Sequence, residues 1–215
     1  MKDEIMKEIR ATSETLHDMA EHTGFIKRLL KGDANTKTYG EYIYNLYFVY
    51  KAIEDNLEKN KDNKVVEKFA IPKVYRAEEM LKDVKYLLGD DYKNTELLMS
   101  TKVFVNRINV VGKEQPELLI AHAYTRYLAD LFGGRTIFEI VKKHYNIPDE
   151  GLNYYMFPKI DNLRAFVMDY HGKLNEMELC DSLREKFLNE VAISYIYNVS
   201  ISNELEFIRY GKEDK

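Results

Sequence analysis

Apolar residues recur at helical spacing through nearly the whole chain, and one stretch strains that pattern. Glu117–Arg135, ELLIAHAYTRYLADLFGGR, reads as a helix that breaks at Gly133 and Gly134 before apolar residues resume at Ile137, Phe138 and Ile140. Two adjacent glycines cost a helix roughly 2 kcal/mol against alanine. Such a pair marks a kink, or a place where something must come close to the backbone.

Around it, strand signals are scarce and the four prolines fall at helix starts or in loops. A first helix carries the stripe Ile5, Ile9, Leu16, Met19 and ends near Gly24 or Gly32. A second spans about 38–57 and is dense in tyrosine. A third opens at Pro72 and ends near Gly89, since proline in the first turn sacrifices no useful donor. Further helices are expected over about 95–111, from Pro116 to about 145, from Pro158 to about 173, and over about 181–208. No repeat, low-complexity segment or long linker divides the chain. The expectation is one all-α domain over 1–215, with a frayed polar tail from about 209.

Net charge is −4, which argues against a broad nucleic-acid-binding surface; Lys142-Lys143 reads as a solvated face. The lone cysteine, Cys180, excludes an internal disulfide and suits a reducing compartment. MKDEIMKEIR has no signal-peptide core, and no run approaches the ~18 apolar residues of a bilayer span. A cytoplasmic protein without a membrane anchor is expected.

On the first helix Arg10, His17 and Glu21 share one face, with Glu14 on its edge. A neutral imidazole is a good iron ligand, and a carboxylate one turn away can orient the ring. An arginine on the same face could meet an anionic group of whatever His17 holds. Taken alone, a histidine among acids on a helix is more often a solvated face, and His22 is read that way. On the glycine-bearing helix Arg126, Asp130 and Gly133 stand at i, i+4 and i+7, again on one face. Without the glycines, Arg126 and Asp130 would read as a surface ion pair.

TLHDMAEHTGF (15–25) and AHAYTRYL-D-GG (121–134) resemble the proximal and distal helix motifs of the heme oxygenases. VGKEQPELLIAHAYTRYL, IPKVYRAEEMLKDV and GLNYYMFPKI resemble further family segments in the expected order, so the likeness runs from about Ile5 to Leu205. It implies a multi-helix bundle with heme b between the N-terminal helix and a glycine-kinked distal helix. On that match His17 is the axial iron ligand, Glu21 its neighbouring carboxylate, and Arg10 a propionate contact. Asp130, with Arg126, holds a water network beside iron-bound dioxygen, and Gly133 and Gly134 let the helix lie close to the macrocycle. Tyr124 and Thr125 match positions near a propionate and in the hydrogen-bond network; Tyr50 and Asn198 match network positions. His122 has a structural part.

The chain departs from the family in several places. Ala129 replaces the usual glycine before the aspartate, where one methyl could crowd dioxygen. Phe104 stands where a tyrosine often joins the network, which would shorten it. His171 replaces an arginine that often clamps a propionate, and Val167 stands where some members have lysine; Lys173 could compensate.

The resemblance implies an enzyme that cleaves heme with O2 and external reductant to biliverdin (the IX-alpha isomer), carbon monoxide and ferrous iron. Electrons would come from a ferredoxin, a flavodoxin or a flavin/NAD(P)H reductase. The alternative is a heme-binding, storage or sensing protein with weak or no turnover, for which Ala129, Phe104 and His171 are the motives. Thiaminase-type and quinone-cofactor-synthesis proteins share the general fold, but they lack the paired motifs, and fold alone does not assign function.

Overall fold

The computed structural model describes residues 5–211, and among them all regular structure is helical. Eight α-helices follow one another: α1 (Ile5–His22), α2 (Gly24–Lys31), α3 (Thr36–Lys59), α4 (Ala77–Leu88), α5 (Met99–Glu114), α6 (Leu119–Tyr145), α7 (Leu163–Asn175) and α8 (Asp181–Tyr210). Short 3-10 turns fill several of the connections. At ~1.5 Å per residue, the thirty residues of α8 form a rod about 45 Å long. Against it pack α1, α2, α5 and α6, while α3 holds α4 and α5 on its other side.

Local chemistry explains the boundaries. The expected first helix is two, because Gly24 adopts φ +54° and its backbone lies against α8. A Cβ there would come within 2.8 Å of the Ser202–Asn203 backbone, so only glycine fits the corner. Asn35 opens α3 by accepting from the Thr38 amide at 2.8 Å, and Asn162 opens α7 by accepting from Ala165 N at 3.0 Å. Pro72 and Pro116 do sit in first turns, but of 3-10 turns (Pro72–Val74, Pro116–Leu118); the helices start at Ala77 and Leu119. Pro158 likewise precedes α7 in a turn, so that helix starts five residues later.

The glycine pair does not end its helix. Gly133 and Gly134 both lie inside α6, which stays helical to Tyr145. The last helix runs past the expected 208: Tyr210 is buried at the end of α8, and Arg209 Nε donates to Glu41 Oε2 at 2.6 Å. Residues 212–215 lie outside the described part.

Tyrosine fills much of the core. Tyr39, Tyr50, Tyr127 and Tyr170 are among the largest fully buried side chains, alongside Phe25, Phe69, Phe104 and Phe187. Of these phenols Tyr39 donates to Tyr155 and Tyr50 to Asp130, whereas the hydroxyls of Tyr127 and Tyr170 have no partner among the described residues. Of the first helix's stripe, Ile5 and Ile9 are buried and Leu16 is half-buried, but Met19 faces outward.

Candidate functional site

A cavity of about 870 Å³ opens between α1 and α6. Its other walls come from α2, α3, α7, α8 and the 3-10 turn Asn153–Tyr155. Apolar side chains such as Ile26, Leu29, Leu46, Leu128 and Ile137 cover much of it, and polar groups stand at a few defined points. That is the pattern of a ligand pocket, and the volume lies in the usual range of about 300–1,000 Å³.

From α1, Arg10, Glu14, His17 and Glu21 all line the cavity. His17 keeps half its side chain exposed; Nε2 stands 3.6 Å from Glu21 Oε1, too far for a good hydrogen bond, so the ring can still turn. Its edge meets the Tyr195 ring, with centroids 5.9 Å apart.

From α6, Tyr124, Thr125, Arg126, Ala129, Asp130 and Gly133 line the same space. Arg126 and Asp130 are buried and form a closed polar ring with two phenols. Arg126 Nε donates to Tyr50 Oη at 3.1 Å and Nη2 donates to Tyr154 Oη at 3.0 Å. Tyr50 then donates to Asp130 Oδ2, and Tyr154 donates to Asp130 Oδ1. The third guanidinium nitrogen, Nη1, donates to Asn198 Oδ1 at 3.0 Å, and Asn198 is held by Ser194 O at 2.8 Å. Burial pushes the phenols of Tyr50 and Tyr154 well above their ordinary range, so both remain protonated donors. Burial also raises the Asp130 carboxyl, opposed by the Arg126 charge and by the two hydroxyls.

Gly133 faces open space: a Cβ built there meets nothing within 4 Å, so any side chain would occupy the cavity itself. Gly134 instead packs on Tyr155, whose Cδ1 would lie 3.5 Å from an added Cβ. Ala129 points its methyl to the exposed side of α6 at the cavity, directly before Asp130.

One end of the cavity is electropositive and hydrogen-bonding. Arg10 and Tyr124 lie close enough for the guanidinium to act on the phenol, and Arg10 acts on His171 as well. Burial first, and Arg10 second, hold the half-buried His171 imidazole below its ordinary pKa. The Phe132 ring stacks on His171 with centroids 6.0 Å apart and planes at 26°.

Three candidates stand apart from the cavity lining. Tyr50 lies behind it and reaches it through Asp130 and Arg126. Gly134 lies under it. Lys173 pairs with Asp169 at 2.9 Å on the α7 surface. Phe104 stacks on Tyr197 and against buried His122. Phe104 takes no part in the polar cluster, in which Tyr154 is the second phenol beside Tyr50. Sequence reasoning missed Tyr154; its neighbour in the segment NYYMFP gives no periodic signal, and its partners lie 24 and more positions away. It also missed Glu190, a buried carboxylate on α8 that accepts from Arg107 Nε at 2.9 Å and lies 2.9 Å from His122 Nε2.

Comparison with known proteins gives one consistent result. A family model described as Heme oxygenase matches residues 3–204. A heme oxygenase of Porphyra purpurea is 37% identical over 95% of this chain and 88% of its own length, and one of Guillardia theta is 36% identical over 96% and 88%. The crystal structure of heme oxygenase-1 from the cyanobacterium Synechocystis, in complex with heme, superposes with a TM-score of 0.92. It is 30% identical and covers 98% of this chain and 96% of that one.

Proposed function

We propose, on the premise that this chain belongs to the heme oxygenase family and is an enzyme that cleaves heme to biliverdin, that the cavity between α1 and α6 is where it does so. The observation that carries the assignment is the pairing of His17 on one helix with the buried Asp130–Arg126 ring on the other, across one cavity. The whole chain, 1–215, is taken as one domain.

The residues fit the group. A flat, largely apolar macrocycle with two carboxylates on one edge matches an apolar cavity with Arg10, Tyr124 and His171 at one end. Space left free above Gly133 is space the macrocycle would use. Among the described residues no group of three or more His, Cys, Asp or Glu could hold a bare metal ion, so iron at His17 has to bring its other ligands with it. Heme brings them, and supplies both the oxygen-binding iron and the carbon skeleton that is oxidised.

In this reading His17 binds the iron through a ring nitrogen, and Glu21 turns to orient the imidazole. Arg10, Tyr124 and His171 take the propionates and fix the in-plane orientation. Tyr42, Leu128 and Ile137 exclude water from the walls. Asp130 accepts and passes protons at the distal face, held by Tyr50 and Tyr154 while Arg126 and Asn198 anchor the ring behind it. O2 and electrons come from outside, the latter from a ferredoxin, flavodoxin or flavin-dependent reductase, in the cytoplasm that a lone exposed cysteine suits. No described helix is long and apolar enough to cross a membrane.

The heme-holding alternative loses one of its motives, because Phe104 lies outside the cavity lining and Tyr154 provides a phenol within it. The test is reconstitution with hemin, followed spectroscopically under ascorbate or a ferredoxin system in air with catalase present. The Soret band is expected to fall as biliverdin grows. Heme that stays intact through the incubation would reject turnover.

A further inference from the structure

We propose that Tyr154 is a positioning residue of the distal wall: with Tyr50 it holds the two carboxylate oxygens of Asp130 and, itself fixed by Asp83, sets how that carboxylate faces the cavity. This rests on the reading of Asp130 as the group that handles protons there.

The argument starts from hydrogen-bond counting. Each phenol has one proton to give, and Arg126 has only donors. With Arg126 donating to both phenol oxygens, the two hydroxyl protons are directed to Asp130, one to each carboxylate oxygen. Tyr50 and Tyr154 oxygens lie 2.9 Å apart, so neither phenol is free to rotate elsewhere without opening the ring. The carboxylate is thereby clamped from both sides, and the acceptor capacity left on each oxygen is what it can present to the cavity.

Tyr154 differs from Tyr50 in how it is held. Tyr50 sits in the middle of α3, fixed by the helix. Tyr154 is only 3% exposed, yet belongs to a three-residue 3-10 turn, which by itself fixes little. Asp83 supplies the missing constraint. Fully buried on α4, it accepts from Asn153 N and Asn153 Nδ2, each at 2.8 Å, and from Tyr154 N at 2.7 Å. A carboxylate satisfied by three donors in the interior is a rigid anchor, because releasing any donor leaves a buried polar group unpaired. Just before the turn, Gly151 lies so close to Tyr86 that a Cβ would come within 2.7 Å of its ring, which pins the loop against α4.

Carboxyl-carbon NMR of the heme-free protein, with the Asp130 signal identified by its loss in Asp130→Asn, tests the contact. In Tyr154→Phe one of two low-field hydroxyl proton signals should vanish. The Asp130 titration should move up by about one pH unit, the roughly tenfold change expected when an ionised group loses one hydrogen bond. Asp83→Asn should move it in the same direction by less. Should Tyr154→Phe fail to fold, fluorotyrosine at position 154 keeps the ring and strengthens the donor, and should move the titration down. An unmoved titration in these proteins would overturn the proposal. In the heme-loaded protein, Tyr154→Phe should lower biliverdin formed per heme consumed several-fold. A shifted titration with unaltered yield would keep the contact and instead reject Asp130 as the proton-handling group.

Discussion

Arg126 and Asp130 stand one helical turn apart on α6 with Nη2 and Oδ1 separated by 3.7 Å, and two phenol hydroxyls bridge them. The pair is buried, so neither charge can be left alone cheaply. Removing one member of a buried ion pair typically destabilises by about 3–5 kcal/mol. Asp130→Asn is therefore expected to lower unfolding free energy in urea by about 3 kcal/mol. It should also slow biliverdin formation by about 100-fold, the scale of a lost acid–base group. A variant as stable and as fast as the parent would show that the ring is neither.

That ring also marks the limit of what the sequence disclosed. Helical periodicity disclosed seven helices, with starts and ends within about five residues of those observed, and merged α1 with α2, where a tertiary contact decides. The α1–α2 corner exists because Gly24 packs on α8, which no local pattern announces. On the site, Arg10, His17, Glu21, Arg126 and Asp130 were legible because helical spacing puts them on shared faces and their wording resembles a family. Tyr154 and Asp83 were not: they meet across some seventy positions, in a turn without periodicity. The glycine pair was legible as a constraint: both glycines lie within α6, Gly133 facing the cavity with nothing within 4 Å of an added Cβ and Gly134 packed on Tyr155.

Ala129 lies at the cavity directly before Asp130, where its methyl takes up cavity space. Ala129→Gly is expected to raise the biliverdin formed per heme consumed, at the cost of about 1 kcal/mol of stability for a third glycine in this stretch of α6. Pigment yield measured at equal heme loss checks it; an unchanged or lower yield would show that the methyl does not crowd the ligand.

Two buried glutamates give stability opposite dependences on pH. Glu54 opens α4 by accepting from Arg76 N and Ala77 N, and burial raises its carboxyl from 4.5 to about 7. The folded state thus holds this proton more tightly than the unfolded chain, so its contribution is complete below about 4.5 and lost as pH rises to about 7. At about 1.4 kcal/mol per pH unit this amounts to roughly 3 kcal/mol. Glu190 is the reverse: burial pushes it up, but His122 and Arg107 outweigh burial and bring it to about 2. Its contribution is present above about 4.5 and lost toward pH 2. Urea titrations of the heme-free protein should show stability falling from pH 5 to 7.5, and Glu54→Gln should flatten that limb. An equally steep limb in Glu54→Gln would assign the effect elsewhere.

His171 is expected to make heme binding itself sensitive to pH. In the open cavity its imidazole is held below the ordinary pKa by burial and then by Arg10, so it is largely neutral near pH 7. A carboxylate placed between Arg10 and His171 reverses the local field and favours the imidazolium, so binding takes up a proton there. Of the groups near it, Arg10 from α1 opposes protonation, whereas Phe132 from α6 contributes only its ring. Hemin affinity should therefore weaken as pH rises from about 6 to 8.5. His171→Arg, permanently charged, should bind more tightly at high pH and lose that dependence. On the same proposal this contact sets in-plane orientation, so the parent is expected to give mainly the IX-alpha isomer at pH 6 and a broader mixture at pH 8.5. Hemin titrations with parallel affinity profiles for parent and His171→Arg, or pigment that is mainly the β or δ isomer at every pH, would show that His171 does not grip the propionate.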